Sequence, residues 1–303
     1  MAKAAPFAVF SCDLDTIDRH LQGYGFENLP PCDLIYRTAV PRLLNLLEEA
    51  KVPGVMFVIA RDAEPQRALL QQVVASGHEV ASHSLTHPQP FRTLSDSELE
   101  QEVVESRARL SAASDSDVVG FRAPAWDIDD RVLRLVKRAG YSYDASIFPT
   151  PALISSRLSA YRRSTGMRSI FAMDLFGHAF AQTRPHRCRR DGTEGLTEFP
   201  IAVTPWLRFP VYHTLTYFVP RFVFRRAVRR LLQSNLPVCY EFHAADLLDM
   251  SLDGVDPRFS RHPGMKLSLA EKLGSLREVL SMIAGERRVL TYRQALAEGL
   301  AGA

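Results

Sequence analysis

Short, uninterrupted apolar runs alternate with amphipathic segments of helical period along most of this chain. Val55-Met56-Phe57-Val58-Ile59 is apolar at five consecutive positions, as expected of a strand buried on both faces of a parallel sheet. Phe7–Cys12, Glu79–Ser82, Val118–Phe121, Tyr141–Asp144, Glu198–Ile201, Val238–His243 and Val289–Leu290 read as further strands. Between them, Val40, Leu43, Leu44 and Leu47 recur at helical spacing, as do Leu69, Leu70, Val73 and Val74. Ser95 with Glu98 three residues on is a capping box that opens another helix, and Gly140 ends one over Arg131–Ala139. Helices are also expected over Pro220–Leu232, Ser268–Ile283 and Tyr292–Leu300. Repeated β-α units with short connections give either an open doubly wound sheet or a barrel. No G-x-G-x-x-G follows the first strand, so a dinucleotide site is not supported. The polar residues Asp13, Asp15, His83, Arg122 and His243 all fall at the C-terminal ends of expected strands, where a barrel carries its chemistry.

The 303 residues would allow roughly two domains, but α/β barrels of about this size form one. With 46% hydrophobic and 23% charged residues, the chain can bury a full core, which excludes a disordered protein. The net charge of +3 does not by itself imply nucleic-acid binding, and no nucleic-acid partner is expected. Cys12, Cys32, Cys188 and Cys239 form no C-x-x-C pair and read as free thiols in a reducing compartment. The N-terminus shows no apolar signal region, and no run reaches the ~18 apolar residues of a membrane span. A cytoplasmic location is the expectation.

Asp13 and Asp15 lie two apart, so a strand end would point both to one side. Two such carboxylates repel unless a cation or a shared proton separates their roles; alternatively they are turn or cap residues before Thr16. His83 and His87 are four apart, a spacing that on a helical turn would let both grip one metal ion, although an isolated pair can equally be two exposed histidines. Arg122, in Gly120-Phe121-Arg122-Ala123-Pro124-Ala125-Trp126, could hold a carboxylate through its planar fork, or sit at the surface beside a proline turn. His243 alone reads as a core histidine. From about Thr150 to Leu215 the β-α pattern dissolves, and Arg184–Arg190 is a basic run with the character of a solvated loop. Pro205–Tyr212 and Tyr217–Arg226 interleave aromatics with arginines, as segments at an anionic lipid surface do; a core helix with snorkelling arginines would look the same.

Taken together, these residues resemble the polysaccharide deacetylase family, metal-dependent carbohydrate esterases that remove acetyl groups from sugars. Asp13-Leu14-Asp15 is similar to the first motif in its D-x-D form. His83, Ser84 and His87 match H-[ST]-x-x-H, Arg122 and Pro124 match R-x-P, and His243 matches the closing histidine. Tyr143–Pro149 and Glu198-Phe199-Pro200 are similar to segments of the exopolysaccharide-associated branch. The likeness runs from Phe7 to Pro149 and from Glu198 to the end. Two features depart from it. The Asp-Trp pair of the fourth motif is not evident, which leaves Asp246 or Asp144 to orient His243. His243-Ala244-Ala245-Asp246 also stands where related chains often have H-P-W-E.

The resemblance implies a distorted (β/α) barrel of about seven strands. It forms a single domain over residues 1–303, with an insertion at 151–218 as a lid or pocket wall. It implies one divalent metal ion on Asp15, His83 and His87, zinc before cobalt or nickel. Asp13 would be the general base, Arg122 its holder and His243 the general acid, with Trp126, Asp144 and Asp246 lining the substrate. The implied reaction is hydrolysis of an N-acyl group, acetyl first, on an amino sugar, with a lipid-linked or nucleotide-linked precursor suited to a cytoplasmic enzyme and peripheral membrane contact open to it. A deformylase or other C–N hydrolase on a non-sugar amide, and a carbohydrate-binding module without turnover, are the competing readings.

Overall fold

The computed structural model describes residues 6–152, 179–189 and 191–300. The strands are β1 (Phe7–Asp13), β2 (Val55–Val58), β3 (Glu79–Ser82), β4 (Gly120–Phe121) and β5 (Tyr143–Asp144). They continue with β6 (His186–Arg187), β7 (Thr197–Glu198), β8 (Val238–His243) and β9 (Arg288–Val289). They form one sheet in the order β6-β7-β5-β4-β3-β2-β1-β8, with β9 joined to the start of β1. Every pairing is parallel except β6 with β7. Among the described residues the end strands β6 and β8 do not pair, so the sheet is a curled half-barrel rather than a closed one.

The connections carry α1 (Ile17–Gly23), α2 (Val40–Ala50), α3 (Arg67–Ala75), α4 (Asp96–Glu100), α5 (Ser106–Ser114) and α6 (Asp130–Arg138). The last third adds α7 (Arg221–Leu232), α8 (Leu269–Ala284) and α9 (Tyr292–Ala297). The capping box at Ser95 and Glu98 forms as expected. Helix α1 is not among the helices expected from the sequence, because Ile17 and Leu21 are the only apolar residues on its buried face. The expected strands before Phe121 and Asp144 shorten to two residues each.

Strand alternation divides the interior in two. On β1, Ala8, Phe10 and Cys12 join the main core that the helices cover. Phe7 and Val9 turn the other way, into a second cluster with Val55, Phe57, Tyr143, Phe199 and Tyr292 on the inner face. Gly120 is required here, because any side chain would run into the ring of Tyr143. The Tyr143 hydroxyl donates to Glu79 at 2.8 Å, and the Arg293 amide donates to the same carboxylate at 3.0 Å, which accounts for a buried acid in β3.

Of the expected insertion at 151–218, residues 153–178 lie outside the described residues, Phe171 and Phe176 among them. The described remainder is not all lid. His186–Arg187 adds an edge strand and Thr197–Glu198 a strand inside the sheet.

Candidate active site

The inner face of β1 continues from Val9 to Ser11 and Asp13, and that of β8 from Cys239 to Glu241 and His243. Register sets Ser11 opposite Glu241 and Asp13 opposite His243. Apolar layers at the bottom of the half-barrel therefore give way to a charged layer at the C-terminal strand ends. Arg122, following β4, is fully buried and spans this layer. Its Nη1 donates to Asp13 Oδ1 at 2.5 Å, its Nη2 to Ser11 Oγ at 3.0 Å and its Nε to the Ala145 carbonyl at 2.9 Å. The guanidinium lies 4.0 Å from the centre of the Phe57 ring, and Glu241 is 3.8 Å from Nη1. Burial opposes its charge, but Asp13 and then Glu241 outweigh burial and hold the guanidinium protonated.

Asp15, His83 and His87 converge beside Asp13. Asp15 Oδ1 lies 3.2 Å from His83 Nε2 and 3.3 Å from His87 Nε2. The two imidazoles do not share a helical turn, as their spacing suggested. They flank an irregular loop after β3 in which Ser84 and His87 take left-handed backbone angles of 64° and 61°. Ser84 Oγ accepts the His87 amide at 3.0 Å. Glu102, between α4 and α5, accepts the amides of Leu85 and Thr86, each at 2.9 Å, and the Thr86 hydroxyl at 2.5 Å. The loop is thus clamped from outside. His83 Nδ1 donates to the Arg122 carbonyl at 2.8 Å, which frees its Nε2 to face Asp15.

The donor set fits a metal ion. Asp15 Oδ1 and His87 Nε2 are buried without a hydrogen-bond partner. Their separations are close to the roughly 3.3 Å edge of a tetrahedron with zinc–ligand bonds of about 2.0 Å. Burial would raise Asp15, but His87 and His83 hold it well below the usual carboxylate range. Burial pushes His87 down to about 4, so it offers a neutral ring. His83 is opposed by burial but raised to about 9 by Asp13 and Asp15.

His243 Nε2 also faces the cluster, 3.9 Å from Asp15 Oδ2, and groups with Asp13 and Glu241. Burial would discharge it, but Asp15, Asp13, Glu241 and Asp246 together raise it. Asp246 is fully buried; it accepts the His243 main-chain amide at 3.0 Å and the Tyr217 hydroxyl at 2.6 Å. Asp144 is not brought to His243. It is fully buried, accepts the Ser146 amide and hydroxyl at 2.9 and 2.8 Å, and faces Glu198, which burial and then Asp144 push well up. It braces the backbone after β5 and leaves no surface for a substrate. Trp126 is half-buried at the rim, with its indole N–H on Glu241 Oε2 at 3.0 Å and its ring against Phe148 and Tyr212.

Two residues of this site escape the sequence reading. Glu241 is the stronger, since an acid two places before His243 in an apolar run must share its face. Glu102 carries no signal, because it looks like any polar helix position.

The fold and site together are an α/β half-barrel with an Asp-His-His cluster and a buried Asp–Arg pair at its strand ends. Residues 26–143, which include His83, His87 and Arg122, match the family model for polysaccharide deacetylase. A chitooligosaccharide deacetylase of Sinorhizobium fredii is 37% identical over 33% of this chain and 46% of its own length. A peptidoglycan deacetylase of Helicobacter pylori is 26% identical over 46% of this chain and 48% of its own. This chain therefore spans about half the length of the curated relatives it matches. A solved structure from Mycobacterium smegmatis assigned to the polysaccharide deacetylases superposes with a TM-score of 0.60, covering 99% of this chain and 94% of that one at 19% identity, a likeness of fold. Over residues 26–143 the chain is thus similar to the polysaccharide deacetylases.

Proposed function

We propose that this protein is a metal-dependent hydrolase that removes an N-acetyl group from an amino sugar. The observation that carries the reading is the convergence of Asp15, His83 and His87 into one cluster beside the Arg122-held Asp13 and His243. A divalent ion on these three residues, zinc before cobalt or nickel, would supply a Lewis acid for the acyl carbonyl and activate water. The chain's own part follows from its geometry. Arg122 pairs with Asp13 and aims its carboxylate, so Asp13 would accept the proton of the attacking water. His243, which burial would discharge but which Asp15, Asp13, Glu241 and Asp246 raise above its ordinary value, would return a proton to the departing amine, which leaves poorly unless protonated. Trp126 and Tyr212 form a rim that would bound the sugar, and this supports a pocket wall built from the described part of residues 151–218.

A lipid-linked or nucleotide-linked N-acyl sugar suits an enzyme of the cytoplasm, a location supported by four cysteines that are all free. The names of the relatives support a sugar substrate. Acetate release from free, nucleotide-linked and lipid-linked N-acetyl sugars should require a divalent ion and stop on chelation. Formate instead of acetate would mark a deformylase, and binding without release a module that does not turn over.

A further inference from the structure

The outer surface beside the site has a composition that a water-facing surface does not need. The chain leaves β7, passes Val203, and turns back at Pro210 through a tight loop. Thr204 and Phe209 close the loop with hydrogen bonds of 2.9 and 3.0 Å, and Arg208 ties it to the Ala181 carbonyl at 2.7 Å. Trp206 and Arg208 are held at φ of 66° and 49°, a conformation that non-glycine residues seldom adopt. This braced loop points its apolar tip outward, with Trp206 92% and Leu207 84% exposed.

Helix α7 runs alongside. It carries five arginines and no acid in twelve residues. Its buried positions are Phe224, Ala227, Val228 and Leu231, which leaves Phe222, Arg226, Arg229 and Arg230 on the open face. Arg221 and Arg225 share Glu278, each at 2.8 Å. Arg226, Arg229 and Arg230 have no ion-pair partner among the described residues. Phe222 is 72% exposed and Phe218, just before the helix, 66%. Between helix and loop lies a groove of about 760 Å³ lined by Trp206, Leu207, Phe209, Phe222, Arg226 and Arg229.

We infer that the Trp206–Leu207 tip and the open face of α7 form a docking surface for an anionic phospholipid bilayer. Exposed large apolar groups gain by leaving water, and tryptophan prefers the headgroup region. Unpaired arginines beside them meet the negative surface of such a bilayer. A second copy of this chain would set arginines against arginines. The surface is linked to the site through the chain, which beyond Pro210 reaches Tyr212, whose ring lies 5.9 Å from that of Trp126. Docking would therefore present the site's rim to the membrane. This deepens the lipid-linked reading of the substrate, but it is read by binding alone, so either can fail while the other stands.

The test is co-sedimentation with vesicles of phosphatidylcholine alone and of phosphatidylcholine mixed with phosphatidylglycerol, at low and high salt. The full chain should pellet with the mixed vesicles at low salt and stay in solution otherwise. Replacing Arg226→Glu, Arg229→Glu and Arg230→Glu together, or Trp206→Ser with Leu207→Ser, should lower the apparent affinity by about tenfold or more. Retained circular dichroism would show that these surface variants fold. With Trp126→Phe as background, Trp206 is the only tryptophan, and its emission should shift to the blue on mixed vesicles alone. Equal recovery on both vesicles, unchanged affinity of the arginine variant, or a Trp206 emission that does not move would overturn the inference. So would a dimer that the Trp206 and Leu207 changes abolish.

Discussion

Two acids compete for one arginine. Asp13 holds the short contact with Arg122, and Glu241 lies 3.8 Å away, fully buried, with Oε1 lacking any partner. Burial pushes Glu241 up to about 7 against the pull of Arg122, and Asp13 adds to the rise. An acid whose pKa is higher folded than unfolded binds more protons in the native state between those two values. Stability therefore falls as pH rises from about 4.5 to 7 and levels off beyond. Glu241→Gln can keep the Trp126 hydrogen bond and cannot ionise. Urea midpoints should show this variant gaining on the wild type across that window, and a difference that is flat in pH would count against a proton on Glu241. Asp13→Asn is a different case. It should lower acetate release by about 10²- to 10⁴-fold, the usual share of a general base, with zinc binding by calorimetry retained. Near-normal turnover would remove Asp13 from that role.

The loop from His83 to His87 shows why ligand spacing alone misleads. An H-x-x-x-H pair on a helix would be rigid by itself, but here the loop backbone is left-handed at two residues and depends on outside partners. Glu102 supplies three of them. It lies in a wide turn of helix between α4 and α5, a local irregularity that aims the carboxylate at the loop. Glu102→Ala should strip the buried Leu85 amide and the partly buried Thr86 amide of their acceptor and free His87 to wander. The expected result is metal affinity weaker by about 10- to 100-fold, the range seen when groups supporting a ligand are removed. Zinc titration by calorimetry checks it, and unchanged affinity would reduce Glu102 to a purely structural residue. His83, tied separately to the Arg122 carbonyl, should keep its place, so weakened rather than abolished binding is the outcome that fits.

The molecule as a whole is a parallel sheet bent into half a barrel and plugged at its inner face by the end of the chain. β9 pairs with the first residues of β1, and Tyr292, the first residue of α9, enters the inner cluster. Its ring meets Phe57, Tyr143 and Phe199 at centroid distances of 6.2, 5.0 and 4.8 Å, directly beneath Arg122 and Ser11. Tyr292→Ala should therefore cost about 3–5 kcal/mol, as for other large aromatic truncations in a core. Denaturant unfolding would measure it, and a loss below about 1 kcal/mol would mean the cluster closes without the ring. Among the described residues no helix is long and apolar enough to cross a membrane.

Periodicity carried much of this architecture by itself. Val55–Ile59 can hardly be anything but a buried strand, and the order of apolar runs and amphipathic helices implied a parallel sheet with its polar residues at one end. The candidate site was legible too, because Asp13, Asp15, His83, Arg122 and His243 stand at or just past strand ends, with His87 in the loop that follows His83. The tertiary structure decided what periodicity cannot carry. Strand register, fixed by pairing between segments more than two hundred residues apart, put Glu241 beside Ser11 and His243 beside Asp13. Burial separated two similar aspartates, enclosing Asp144 with Ser146 and Glu198 while Asp246 met the His243 backbone. The hand of the His83–His87 loop depended on Glu102, a residue remote in sequence. Local composition encodes which face a residue prefers. Which partner waits on that face is a property of the assembled chain alone.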